Sequence, residues 1–203
     1  MCTPNNICSF DNDGASIPDG PVPNNLDLCL NTSISTVVST LNGCPVPSVT
    51  GFISPLTTNF FAVPDLSNVQ DMSLAVSGAG RIQYLGQRVS VLRNASGIHQ
   101  ALNLDDAVTI ENNLIGVDAL SNPELDQTAV LTFEGLSYSE APTPVVSSST
   151  GYVICPSTSC QSLAYLNGVF SMNVAGFSNY STRNSSCGDT YCSLSETCSS
   201  CSS

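Results

Sequence analysis

Short runs of alternating apolar and polar residues mark the middle of this chain. In residues 72–77, Met72, Leu74 and Val76 alternate with Ser73, Ala75 and Ser77. The same alternation recurs in residues 81–84, 88–91, 108–110 and 129–133. A period of two places successive side chains on opposite faces of a strand, and turn-forming residues separate the runs. The pattern predicts an all-β fold, an antiparallel β-sandwich of the Ig-like or jelly-roll kind.

Two further segments carry a local signal. Residues 163–172 place Asn167 and Gly168 between two arms of alternating apolar residues. Because these residue types accept the positive φ angles of a type I′ turn, the segment predicts a β-hairpin. Residues 33–41 fit a short helix and a strand equally well, since Ile34, Val37 and Val38 are β-branched.

Cysteines cluster at both ends of the chain. The ten positions are Cys2, Cys8, Cys29, Cys44, Cys155, Cys160, Cys187, Cys192, Cys198 and Cys201. An even number at close spacing favours disulfides formed in an oxidising compartment, although the spacing leaves the pairing open. Zinc is the weaker alternative, because the single C-x2-C pair lies far from the one histidine, His99.

The cysteines also predict how the chain is divided. Residues 1–44 form a cysteine-rich N-terminal segment, and residues 45–140 form the sandwich core. Residues 141–150, which contain two prolines followed by a Ser/Thr run, are predicted to be a connector, and the alternative is a long loop within one domain. Residues 151–203 combine the hairpin with a cysteine-rich C-terminal module.

The charge balance excludes two classes of partner. Sixteen acidic residues against four arginines, with no lysine, give a formal net charge of −12. Such a chain lacks the basic face that binds nucleic acid, and anionic membrane surfaces repel it. Its apolar runs are also shorter than the roughly 18 residues of a membrane span. We therefore predict no nucleic-acid partner and no membrane span.

Two kinds of modification or ligand site are predicted from short motifs. The sequons for N-glycosylation lie at Asn31, Asn94, Asn179 and Asn184. Carboxylates at Asp11, Asp13 and Asp19, interleaved with Asn and Gly, resemble part of a calcium loop, although the full EF-hand pattern is missing. The alternative is an Asp/Asn/Gly turn between two cysteines. Calcium is the one cofactor candidate.

The C-terminal cysteines form the most specific motif. Residues 187–201 read Cys-Gly-Asp-Thr-Tyr-Cys-Ser-Leu-Ser-Glu-Thr-Cys-Ser-Ser-Cys. This run resembles a short cysteine-rich module of secreted and cell-surface proteins, with the form C-G-D-G-x-C-x3-E-x-C-x2-C. Thr190 stands in place of its second glycine. The resemblance implies an extracellular unit held by disulfides and implies no activity.

Residues for catalysis are sparse. A hydrolase triad needs a histidine base, and His99 lies in the turn-like segment 97–100, away from any nucleophile motif. Nucleophile elbow, zinc-protease and phosphate-loop motifs are all missing from the sequence. We therefore predict that the chain is not an enzyme.

Two functions fit these features. The first is a secreted structural glycoprotein, a subunit of a filament, appendage, wall or surface coat, which joins copies of itself or other extracellular structural proteins. Its uncharged polar faces and lysine-free strands leave few charges to block pairing at sheet edges. The alternative is a lectin-like or adhesion module that binds glycans, with calcium held near Asp11, Asp13, Asp105 and Asp106.

Overall fold

Fourteen strands form most of the ordered structure. The computed structural model describes residues 29, 38, 39, 41, 43–95 and 98–184. In chain order the strands are β1 (Val69–Gln70), β2 (Ser73–Val76), β3 (Gly80–Gln83), β4 (Arg88–Val89), β5 (Leu92–Ala95), β6 (Ile98–Ala101), β7 (Val108–Glu111), β8 (Leu114–Val117), β9 (Ala129–Phe133), β10 (Thr143–Ser148), β11 (Gly151–Ile154), β12 (Cys160–Leu166), β13 (Val169–Val174) and β14 (Asn179–Arg183). One short helix, α1 (Leu104–Ala107), precedes β7, and 3-10 turns lie at Phe60–Ala62 and Pro123–Leu125.

Ten strands build two five-stranded antiparallel sheets. The first sheet has the order β11-β10-β14-β8-β7, and the second has the order β12-β13-β9-β3-β2. Two smaller ribbons pair β1 with β4 and β5 with β6. Alternate residues of the two large sheets point at each other, so this arrangement is the antiparallel β-sandwich that the sequence predicts.

The core lies between the two sheets. Ile115 of the first sheet packs with Ile82, Leu131 and Phe133 of the second, and all four side chains are fully buried. The rings of Phe133 and Phe170 lie 6.2 Å apart. Each such side chain contributes about 1.5–3 kcal/mol by leaving water. The alternating burial along β9 shows directly why the period of two in residues 129–133 predicts a strand.

The hairpin predicted in residues 163–172 is formed by β12 and β13. Its turn residues Asn167 and Gly168 have φ angles of 50° and 77°, the positive values that a type I′ turn requires. Leu166 and Val169 pair directly across the turn. The amide of Leu136 donates a hydrogen bond to the carbonyl oxygen of Gly168, so the turn is fixed to the sandwich.

The predicted connector requires a correction. Residues 141–150 contain β10, which pairs with β11 on one side and with β14 on the other. The proline at position 144 occupies a strand position opposite Thr182, and its carbonyl oxygen accepts a hydrogen bond from the amide of Cys155. Both sheets therefore combine strands from before and after residues 141–150. A proline is tolerated within β10 because its position does not require a backbone N–H donor.

Three further sequence predictions concern residues 33–41, His99 and membrane spans. Residues 33–37 lie outside the described residues, while Val38 forms a single bridge with Pro45. His99, predicted to lie in a turn, is in β6 opposite Asn94. Among the described residues, no helix is long and apolar enough to cross a membrane.

Candidate functional site

The strands at the sheet edges are the places where a β-sandwich offers backbone groups to another strand. An edge strand presents backbone N–H and C=O groups that its own sheet leaves unpaired. The first sheet ends in β11 and β7, and the second ends in β12 and β2. These four edge strands differ in their hydrogen-bond partners, their charge and their exposed side chains, and these differences define the candidate site.

The β2 edge is closed by two threonines of a preceding loop. The amide of Ser73 donates to Oγ1 of Thr58 at 2.9 Å, and the amide of Thr58 donates to the carbonyl oxygen of Ser73 at 2.8 Å. The amide of Ala75 donates to Oγ1 of Thr57 at 3.1 Å, and this hydroxyl lies 3.2 Å from the carbonyl oxygen of Ala75. Three of the four outward backbone groups of β2 therefore have their own partners within the chain, and the fourth, the carbonyl oxygen of Ala75, shares the single hydroxyl proton of Thr57 with the carbonyl oxygen of Phe52.

The β7 edge is acidic. Glu111 is an exposed residue of this strand, and Asp105 and Asp106 lie in α1 immediately before it. A neighbouring chain of the same negative charge is repelled by such an edge.

The carboxylate of Asp105 is fully used inside the chain. It accepts hydrogen bonds from the amides of Thr50 and Gly51 and from the hydroxyls of Ser48 and Thr50. Burial raises the pKa of Asp105, but the hydrogen bonds from Ser48, Gly51 and Thr50 outweigh it and hold the pKa below its ordinary value. Both oxygens of this carboxylate accept hydrogen bonds from the loop 48–51 and hold that loop in place.

The β11 edge has apolar side chains exposed on both faces. Tyr152 is 49% exposed and Val153 is 42% exposed, and successive residues of a strand point to opposite faces. On its inner side β11 pairs with β10 from Gly151 to Ile154. Within the described part of the chain, no strand pairs with its outer side.

The β12 edge is open over its second half. A register shift between Gln161 and Ala164 interrupts the pairing with β13, and Ser162 there has a positive φ of 53°. Regular pairing resumes from Ala164 to Leu166, and Leu166 is 72% exposed. In a two-residue hairpin the flanking pair is hydrogen-bonded, so the next residue, Tyr165, points its backbone N–H and C=O away from β13.

A disulfide places β11 and β12 on the same side of the sandwich. Cys155 follows the last residue of β11, Cys160 is the first residue of β12, and the two are bonded with a Cα–Cα distance of 5.9 Å. Both cysteines are buried. We call β11 and β12 together the open edge.

The open edge lies in a part of the chain without charge. Residues 141–182, which supply β10 to β13 and most of β14, contain no Asp, Glu, Lys, Arg or His. The nearest charged residues along the chain are Glu140 and Arg183. The edge therefore lacks the lysines and other charges that keep exposed edge strands from pairing with another chain.

Four of the ten cysteines predicted to form disulfides lie among the described residues, and they form two bonds. Cys29 bonds to Cys44, and Cys155 bonds to Cys160. The remaining predicted cysteines lie outside the described residues: Cys2, Cys8, Cys187, Cys192, Cys198 and Cys201. The C-terminal module at 187–201 lies there too.

The predicted glycosylation sites fall in several places. Asn179 and Asn184 are exposed, the first in β14 and the second directly after it, whereas Asn94 lies in β5. Gly116 leaves room for the side chain of Asn179, which an added Cβ would strike. Asn31 lies outside the described residues, and glycosylation remains a prediction at all four positions.

The calcium candidates Asp11, Asp13 and Asp19 lie outside the described residues. Within the described residues, no group of three or more His, Cys, Asp or Glu side chains is placed to hold a metal ion. Asp106 and Asp118 line a shallow groove of about 420 Å³ that also includes Asn179.

Comparisons of the chain with protein families, with curated proteins and with solved structures returned no match.

Sequence reasoning missed two features of the sheet edges, the lack of charge at the open edge and the closure of β2. The charge-free stretch 141–182 is visible in the sequence and could have marked the open edge. The closure of β2 by Thr57 and Thr58 has no such signal, because a threonine in a loop does not reveal which distant strand its hydroxyl contacts.

Proposed function

We propose that the chain is a secreted structural glycoprotein, a subunit of an extracellular assembly in which β-strand pairing joins the subunits. The observation that carries the proposal is the open edge. It combines unpaired backbone groups with exposed apolar side chains in a stretch without charge. Addition of a strand to such an edge is a common way for proteins to bind one another.

The disulfides support an extracellular location. Bonds such as Cys29–Cys44 and Cys155–Cys160 form and persist in oxidising compartments. Both pairs are buried, which suits durable structural links better than reactive thiols. The exposed sequon residues Asn179 and Asn184 are placed where a glycan would not disturb the core.

Native material tests this function. Extracellular material from the source cells would be imaged by electron microscopy under non-reducing conditions, and its subunits would be identified by mass spectrometry. We expect ordered assemblies that contain the chain, with linked peptides for Cys29–Cys44 and Cys155–Cys160. Recovery of the native chain solely as non-associating monomers would refute the proposal. Mass measurement before and after deglycosylation checks the four sequons in the same sample.

A further inference from the structure

We propose that the open edge pairs with the same edge of a second copy of this chain, in an antiparallel arrangement about a two-fold axis. The proposal rests on the proposed function, and it names the partner and the geometry of the joint.

The charge distribution favours this partner and this surface. A chain with a net charge of −12 repels its own copies when they meet at their acidic surfaces. The stretch 141–182 lets two copies approach without bringing like charges together. The exposed apolar residues Tyr152, Val153 and Leu166 would lose contact with water at the joint.

The other two edges disfavour a head-to-tail joint through β2 or β7. Such a joint would pair the open edge of one copy with β2 or β7 of the next. The outward backbone groups of β2 are occupied by Thr57 and Thr58, and β7 carries Glu111 next to the acidic helix α1. Pairing of the open edge with itself remains, and identical antiparallel strands pair about a two-fold axis.

The register follows from the outward backbone groups of β12. Tyr165 points its N–H and C=O away from β13, and its side-chain hydroxyl is held by the carbonyl oxygen of Tyr138 at 2.8 Å. A two-fold axis beside Tyr165 allows both copies of this residue to exchange N–H···O=C bonds. The bulge at Ser162 ends the regular ladder on one side, and the turn at Asn167 ends it on the other.

This joint has a consequence for stoichiometry. A two-fold contact uses the same surface on both copies, so it closes at two chains. Growth of an assembly beyond the pair therefore needs a second, different contact.

The test compares one lysine substitution at the open edge with a matched one elsewhere. Ala164→Lys places a positive charge on the exposed face of β12, and Thr109→Lys places the same charge at an exposed position of β7. The full non-reduced chain would be examined by sedimentation equilibrium. We expect the unsubstituted chain and Thr109→Lys to form dimers with similar dissociation constants. Ala164→Lys should raise the constant by about tenfold or more, because the joint brings two like charges together.

A second measurement does not depend on a substitution. Hydrogen exchange of the Tyr165 amide in the unsubstituted chain should slow as the chain concentration rises, since pairing protects this group. Exchange that is independent of concentration would overturn the proposal, as would dimers that Ala164→Lys leaves intact. Longer oligomers that Thr109→Lys breaks would also overturn it, because they would show a head-to-tail joint.

The two proposals fail separately. Dimers of the purified chain, together with native material that holds only pairs and no larger assembly, would refute the structural function and leave the joint standing. Native assemblies whose chains do not pair through β12 would refute the joint alone.

Discussion

Replacement of Thr57 by valine tests whether the closure of β2 depends on its hydroxyl. The Oγ1 atom lies 3.0 Å from the carbonyl oxygen of Phe52 and 3.2 Å from that of Ala75, and it accepts the Ala75 amide at 3.1 Å. Because one hydroxyl has one proton, Thr57→Val removes one donated and one accepted hydrogen bond. Ala75 is 2% exposed, so its amide would be left buried without a partner.

The cost follows from these contacts. An unsatisfied buried amide costs about 1–3 kcal/mol, and the lost donated bond adds about 1 kcal/mol. The added methyl group offsets part of this, so we expect a loss of about 2 kcal/mol in the free energy of unfolding. Urea unfolding followed by tyrosine fluorescence would measure it, since the chain has no tryptophan. The same loss of about 2 kcal/mol should speed hydrogen exchange of the Ala75 amide by about 30-fold.

Thr109→Val is the matched control for this substitution. Thr109 is exposed on β7, and we expect its replacement to change stability by less than about 0.5 kcal/mol. If Thr57→Val were no more destabilising than Thr109→Val, and Ala75 exchange were unchanged, the hydroxyl would not be what closes the β2 edge.

Three further predictions concern individual residues. The lowered pKa of Asp105 stabilises the fold above the pKa of the unfolded chain, and this contribution is lost as the pH falls through the folded value; urea stability measured against pH should therefore decline less in Asp105→Asn than in the unsubstituted chain. Gly168→Ala should cost about 2 kcal/mol or more, because its Cβ would lie 2.6 Å from a carbonyl oxygen, whereas Gly86→Ala, at a similar φ but in open space, should cost about 1 kcal/mol in the same unfolding assay. Burial, with a smaller effect of Asp126, raises the pKa of both Tyr84 and Tyr180, so an alkaline absorbance titration should show two tyrosines that ionise later than the others, and Tyr84→Phe should remove one of them.

Local patterns predicted the strands of this fold well. The alternation in residues 129–133 and the Asn167–Gly168 turn each determine a structure within a few residues, and both appear as β9 and the β12–β13 hairpin. Burial on one face produces the alternation, so the pattern in the sequence and the position in the sandwich have the same physical cause.

Features that depend on distant contacts were harder to predict. The two prolines in residues 141–150 favoured a connector, because proline usually disrupts a strand. The sequence alone does not reveal that Pro144 lies opposite Thr182 at a position where no backbone N–H donor is required. The roles of Thr57 and Asp105 also depend on partners far along the chain. The open edge could be recognised only from the strand order, which shows that β2, β7, β11 and β12 are the edge strands. Of these, β2 is closed and β7 is acidic, whereas β11 and β12 are uncharged.

The disulfide between Cys155 and Cys160 has a mechanical consequence. It closes a loop with a sequence separation of five residues between β11, an edge strand of the first sheet, and β12, an edge strand of the second. In the proposed pair, a force on β12 would therefore be transmitted through this covalent bond to β11. The disulfide would then distribute that force over edge strands of both sheets.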